Sequence, residues 1–133
     1  MRFANFAALA TAAVIAVAAS AQTPDWGGAQ TINESLASFS FTPSTLELRR
    51  GTPYRLHLVN TASGGHDFAA PQFFAASDIA AEDRPKIQDG RVKLEGGQSI
   101  DIRLVPLKTG SYRLHCSHFM HPTFGMKGTI IVR

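Results

Sequence analysis

Between Cys116 and Met126 the sequence places one cysteine, two histidines and two methionines within eleven positions: Cys116, His118, Met120, His121 and Met126. Cys116 is the only cysteine of the chain. A thiol beside imidazoles and thioethers is a soft-ligand set, and soft N/S donors are those that copper, above all Cu(I), prefers. One more histidine from elsewhere in the fold would complete a mononuclear centre of two imidazoles, a thiolate and a thioether.

The elements that must position these donors are strands. Tyr112, Leu114 and Cys116 share one parity, so all three face inward, while Arg113 and His115 point the other way. Cys116 then ends a strand with its sulfur at the rim of the core, where a thiolate is shielded from water. The loop that follows has to return donors to that sulfur. His121 and Met126, five and ten residues later with Pro122 and Gly125 to shape the turn, suit the task. The missing histidine is best supplied by His66, which follows the strand that finishes at Asn60, and Gly64 and Gly65 before it permit tight backbone geometry. His118 and Met120 are the rival donors and read instead as rim residues, with a transient second copper site as their other use. His57 and His115 fall on outward faces and are expected to be solvated.

Alternation runs through the rest of the chain. Phe39 and Phe41 share a parity; Leu46 and Leu48 follow; Tyr54, Leu56 and Leu58 alternate with polar neighbours up to Asn60. The pattern resumes at Val92 and Leu94, then at Ile100, Ile102 and Leu104, and closes with Thr129 to Val132. Period-2 runs punctuated by Gly, Pro, Ser and Asn are strand signals. Between Ala69 and Gly90 the character changes: residues 71–76 and 78–83 each suit a short helical turn, with Ser77 or Asp78 as a cap. The expectation is an all-β sandwich of seven or eight strands with one short helical insertion.

With these residues in view, the chain resembles the small cupredoxins: the plastocyanin, azurin and pseudoazurin group of type 1 (blue) copper proteins. The likeness rests on Phe41-Thr42-Pro43 before the strand Leu46 to Leu48, the Gly51 turn leading to a strand that ends at Asn60, the Gly65-His66-Asp67 step, and Gly110-x-Tyr112-x-x-x-Cys116 with His121-x-x-x-Gly125-Met126-Lys127-Gly128 behind it. It covers residues 31–133. It implies a Greek-key sandwich, one copper ion cycling between Cu(II) and Cu(I), equatorial ligands His66, Cys116 and His121, and Met126 as a weak axial ligand. It also implies that the ring edge of His121 conducts the electron, inside an apolar collar of Met120, Pro122 and Phe124. The Cys116 to His121 spacing resembles azurin, whereas His121 to Met126 resembles plastocyanin. After the first histidine the family often carries Asn; Asp67 stands there, placed to hydrogen-bond near Ser117, lock the two ligand loops together and lower the potential.

The remaining features bound the function. The first 21 residues read as an export signal: Arg2, an alanine-rich apolar stretch from Ala7 to Ala19, and a small-x-small cleavage site at Ala19-Ser20-Ala21. The apolar run is short of the roughly 20 residues that a membrane span needs. Removing 21 of 133 residues leaves 112, with residues 22–30 as a loose lead-in and room for one domain. The formal charge of +3 drops to about +2 without Arg2, and no run of Lys or Arg appears, so neither nucleic acid nor an anionic membrane is an expected partner. The expectation is a monomeric periplasmic carrier of single electrons, without catalytic turnover, that meets unidentified redox proteins in transient complexes. The alternative is a periplasmic protein that buffers or delivers copper, with His115, His118 and Met120 assisting ligand exchange.

Overall fold

The computed structural model describes residues 11–16, 23–117 and 125–133. Ten strands and one short helix follow each other as β1 (Gln30–Ala37), β2 (Ser40–Thr42), β3 (Thr45–Leu48), β4 (Tyr54–Asn60), β5 (His66–Ala69), α1 (Pro71–Ala75), β6 (Ser77–Ile79), β7 (Arg91–Leu94), β8 (Ser99–Pro106), β9 (Gly110–His115) and β10 (Lys127–Val132). They form two five-stranded sheets in the orders β2-β1-β4-β8-β6 and β3-β10-β9-β5-β7. The β1–β4 and β3–β10 pairs are parallel and the rest antiparallel.

The sandwich expected from alternation is present, because Leu46/Leu48, Tyr54/Leu56/Leu58 and Ile102/Leu104 all face the space between the sheets and are buried. Each such Leu or Ile side chain withdrawn from water contributes about 1.5–3 kcal/mol. Phe73 and Phe74 on α1 close one side. Phe74 packs 5.9 Å from Phe68, and Phe73 lies 5.8 Å from Tyr112, edge-on, so the helical insertion is pinned to β5 and β9.

Three expectations change. The described residues form ten strands, not seven or eight, because β1, β5 and β6 carry no clean alternation. On β1 the inward residues are Ile32, Glu34 and Leu36, and the carboxyl in the middle breaks the apolar pattern. All four residues of β5 are buried, so polar alternation is absent there. The second helical turn is displaced. Ser77–Ile79 pair with Leu104–Pro106 as a strand, Asp78 opposite Val105, and a 3-10 turn follows at Ala81–Lys86. Neither Ser77 nor Asp78 caps it. The hydroxyl of Ser77 donates to the Phe73 carbonyl instead.

That turn is held by Asp83, which is 3% exposed. Its Oδ2 accepts from Arg103 Nε at 2.8 Å and from the Arg103 backbone N–H at 2.9 Å, and its Oδ1 accepts from Lys86 Nζ at 2.7 Å. Burial alone would raise this carboxyl, but the hydrogen bonds outweigh it and hold Asp83 below the usual carboxylate range. The Arg103 guanidinium also lies 5.9 Å from the Trp26 ring centroid. Trp26–Gly28 form a 3-10 turn whose backbone N–H groups are capped by Asp25, so this part of the lead-in is tied down. Among the described residues, no helix is long and apolar enough to cross a membrane.

Candidate metal centre

Cys116 follows β9 directly and is 3% exposed. The parity that points Leu114 into the core points the sulfur there too, as expected, and Tyr112 packs on the same side. The backbone N–H of Cys116 donates to the Met126 carbonyl at 3.1 Å, extending by one rung the ladder in which Lys127 faces His115. Cys116 and Met126 are therefore neighbours across two strands, and Met126 is fully buried.

His66 opens β5 and is 5% exposed. Its Nδ1 lies 3.8 Å from Cys116 Sγ, although the two residues are 50 apart in sequence. A first-row metal about 2.3 Å from sulfur and about 2.0 Å from nitrogen, at a trigonal angle, separates its donors by about 3.7 Å. The pair fits a metal, and its chemistry fits copper. His121, His118 and Met120 lie outside the described residues, as do Pro122 and Phe124 of the collar. Among the described residues, no group of three His, Cys, Asp or Glu side chains gathers.

Asp67 is wholly buried and does two things. Its backbone N–H donates to Cys116 Sγ at 3.4 Å, which stabilises negative charge on the sulfur. Its carboxylate accepts from the Ser117 backbone N–H at 2.7 Å and from the Ser117 hydroxyl, so the residue after the histidine grips the residue after the cysteine. This is the lock expected from the sequence. Arg91 Nη1 then donates to Ser117 Oγ at 3.0 Å and brings a positive charge to the outer end of the chain of bonds.

The loop before His66 is organised by a residue that the sequence reading passed over. Asn60 is fully buried, and its Nδ2 reaches the carbonyls of Gly64 at 2.8 Å, Leu94 at 3.2 Å and Glu95 at 3.1 Å. Its Oδ1 accepts from the Ala62 N–H at 3.0 Å. A strand-ending Asn before a Ser/Gly-rich loop was the available signal. The close approach is also not where it was expected. Neither Gly64 nor Gly65 has a positive φ, and an added Cβ would meet nothing nearer than 3.7 Å. At Gly96 a Cβ would sit 2.1 Å from the Ser63 carbonyl oxygen, so Gly96 lets the β7–β8 turn press against the His66 loop.

His57 and His115 both lie outside the centre, on outward faces. His57 is not merely solvated, since its Nδ1 lies 2.5 Å from Asp101 Oδ1 on the neighbouring strand. His115 is half-buried, and its buried Nδ1 has no hydrogen-bond partner among the described residues. Burial, aided by Arg113, lowers its pKa. Phe39, in the β1–β2 turn, is 64% exposed with φ of 69°. That left-handed conformation costs a non-glycine residue roughly 1–2 kcal/mol. The turn adjoins the His66 loop, because Leu36 pairs with Asn60 and its carbonyl accepts from the Thr61 N–H.

The profile of the cupredoxin-like domain matches residues 7–132. The chain belongs to the cupredoxin family. Its cofactor is one copper ion. Solved cupredoxin structures agree on the fold. Auracyanin B superposes with a TM-score of 0.59 at 23% identity, covering 85% of this chain and 92% of its own. The auracyanin of Roseiflexus castenholzii gives 0.59 at 17%, covering 80% and 99%. The multicopper oxidase McoA of Aquifex aeolicus gives 0.62 at 15%, covering 86% of this chain but only 32% of the oxidase. No curated protein matches the chain.

Proposed function

We propose that this cupredoxin is an exported, mononuclear copper protein that carries single electrons between redox proteins in the periplasm. His66, Cys116 and His121 would be the equatorial ligands and Met126 the weak axial one. When bound, copper supplies the one-electron Cu(II)/Cu(I) couple, and a His2Cys set with a long Met bond lies between the geometries the two valences favour. The buried approach of His66 Nδ1 to Cys116 Sγ carries the reading. The chain's own groups do the rest. The Asp67 N–H orients the sulfur, the Asp67–Ser117 clasp fixes the spacing of the two ligand loops, and the buried Met126 keeps water from that side. Ligands held this way move little between redox states.

Phe39, exposed in a turn that adjoins the His66 loop, adds an apolar residue at the ligand pole and suits a small, weak and fast docking contact. The first 21 residues, read as a cleaved export signal, support the periplasmic assignment. The test is copper retention during repeated oxidation and reduction beside a modest Cu(I) chelator. An electron carrier keeps its copper through many cycles, whereas loss to the chelator within a few would replace this reading with copper delivery.

A further inference from the structure

The pole opposite the ligand loops holds a cleft of about 800 Å3 lined by Glu47, Leu48, Arg49, Arg50, Thr52, Thr109 and Arg133. We propose that this cleft is a binding site for a phosphate-type oxyanion. Three guanidiniums, those of Arg49, Arg50 and Arg133, face one side-chain carboxylate there, that of Glu47. Among the described residues only Arg133 of the three is paired, with Glu47 at 3.2 Å and in an exposed position. Among the described residues, the side chains of Arg49 and Arg50 have no hydrogen-bond or ion-pair partner. Concentrating like charge in one turn disfavours the folded state unless an external anion answers it.

The floor of the cleft is rigid. The Arg50 N–H donates to the Arg133 carbonyl at 2.8 Å, the Arg133 N–H to Leu48 at 2.9 Å, and the Gly51 N–H to Pro106 at 2.8 Å. The Arg49 N–H is held by the Tyr54 hydroxyl at 2.8 Å. Backbone so fixed holds the Cα positions of the three arginines, so that only their side chains must order around an anion. The donor geometry decides the ligand class. One carboxylate occupies one guanidinium fork, whereas a tetrahedral dianion accepts from several forks and from the Thr52 and Thr109 hydroxyls together. The cleft is separated from Cys116 by the length of β9, about 20 Å for six residues, so the anion would not touch the redox centre.

The experiment is an amide NMR titration of the full chain with inorganic phosphate, against sodium chloride at matched ionic strength. Saturable shifts at Gly51, Thr52, Thr109 and Arg133 are expected with phosphate only. Arg50→Gln should weaken binding about tenfold or more. Arg55→Gln, which removes an exposed arginine bonded to Thr31, should leave it unchanged. Shifts that follow ionic strength equally in chloride, or equal weakening by both variants, would overturn the site. Co-sedimentation with phosphatidylglycerol vesicles separates the sources. Binding that inorganic phosphate competes away assigns the site to a headgroup, and no co-sedimentation assigns it to free phosphate. Vesicle binding indifferent to phosphate would overturn the proposal.

Discussion

The carboxylate of Asp67 binds both the backbone N–H and the hydroxyl of Ser117, across 50 residues of chain, while its own N–H points at Cys116 Sγ. One buried side chain thereby sets the spacing of the two loops that hold His66 and Cys116. It also places a carboxylate beside the Cys116 sulfur, with the Arg91 guanidinium bonded to Ser117 close by. Nearby negative charge favours the more highly charged metal ion.

Asp67→Asn keeps an acceptor for Ser117 and removes the charge. The reduction potential of the copper-loaded protein should rise by on the order of 59 mV, a tenfold shift toward Cu(I). Protein-film voltammetry measures it. An unchanged or lowered potential would show that Arg91 already cancels the carboxylate.

Asn60→Asp replaces the amide that donates to three carbonyls with a group that cannot donate. A loss of about 2–4 kcal/mol in unfolding free energy is expected, from buried acceptors left facing a charge. Urea denaturation of the metal-free protein checks it, and a loss below 1 kcal/mol, or about that, would mean that water replaces the amide readily.

Gly96→Ala drives a methyl against the Ser63 carbonyl oxygen. Overpacking of this kind costs about 1–3 kcal/mol, and it must displace the His66 loop. Copper affinity should fall together with stability. Gly64→Ala, with open space around its Cβ, should change neither.

Glu34 gives the stability a pH dependence. It is 1% exposed, neither carboxyl oxygen has a hydrogen-bond partner among the described residues, and burial pushes its pKa from 4.5 up to about 8. The folded protein therefore holds a proton that the unfolded chain releases above about pH 4.5. This group's contribution is fully present below that value and is lost as pH rises through about 8. Urea midpoints should fall between these limits in wild type, and Glu34→Gln should flatten the decline. Identical slopes in the two proteins would contradict the burial argument.

Much of this arrangement was legible in the sequence. Parity alone placed Leu114 and Cys116 on the inner face of β9, and His66, chosen from the loop after Asn60, reaches the sulfur. The Asp67–Ser117 clasp followed from putting those two neighbours side by side. The less legible parts are those where tertiary contacts override local pattern. Glu34 hid β1 because a buried carboxyl reads as a surface residue. Ser77–Ile79 carry helix-cap residues but find β8 beside them, and cross-strand pairing decided their conformation. Gly96 was unremarkable because its constraint comes from Ser63, a residue 33 positions away that only the fold brings near.

The central claim is that Cys116 and His66 hold the same copper ion. The visible spectrum of the Cu(II)-loaded protein, compared with Cys116→Ala and His66→Ala, tests it most directly. Wild type should show the intense absorption of a thiolate–Cu(II) bond, Cys116→Ala should lose it, and His66→Ala should lose or strongly shift it. No such band in wild type, its survival in Cys116→Ala, or an unaltered band in His66→Ala would contradict the account.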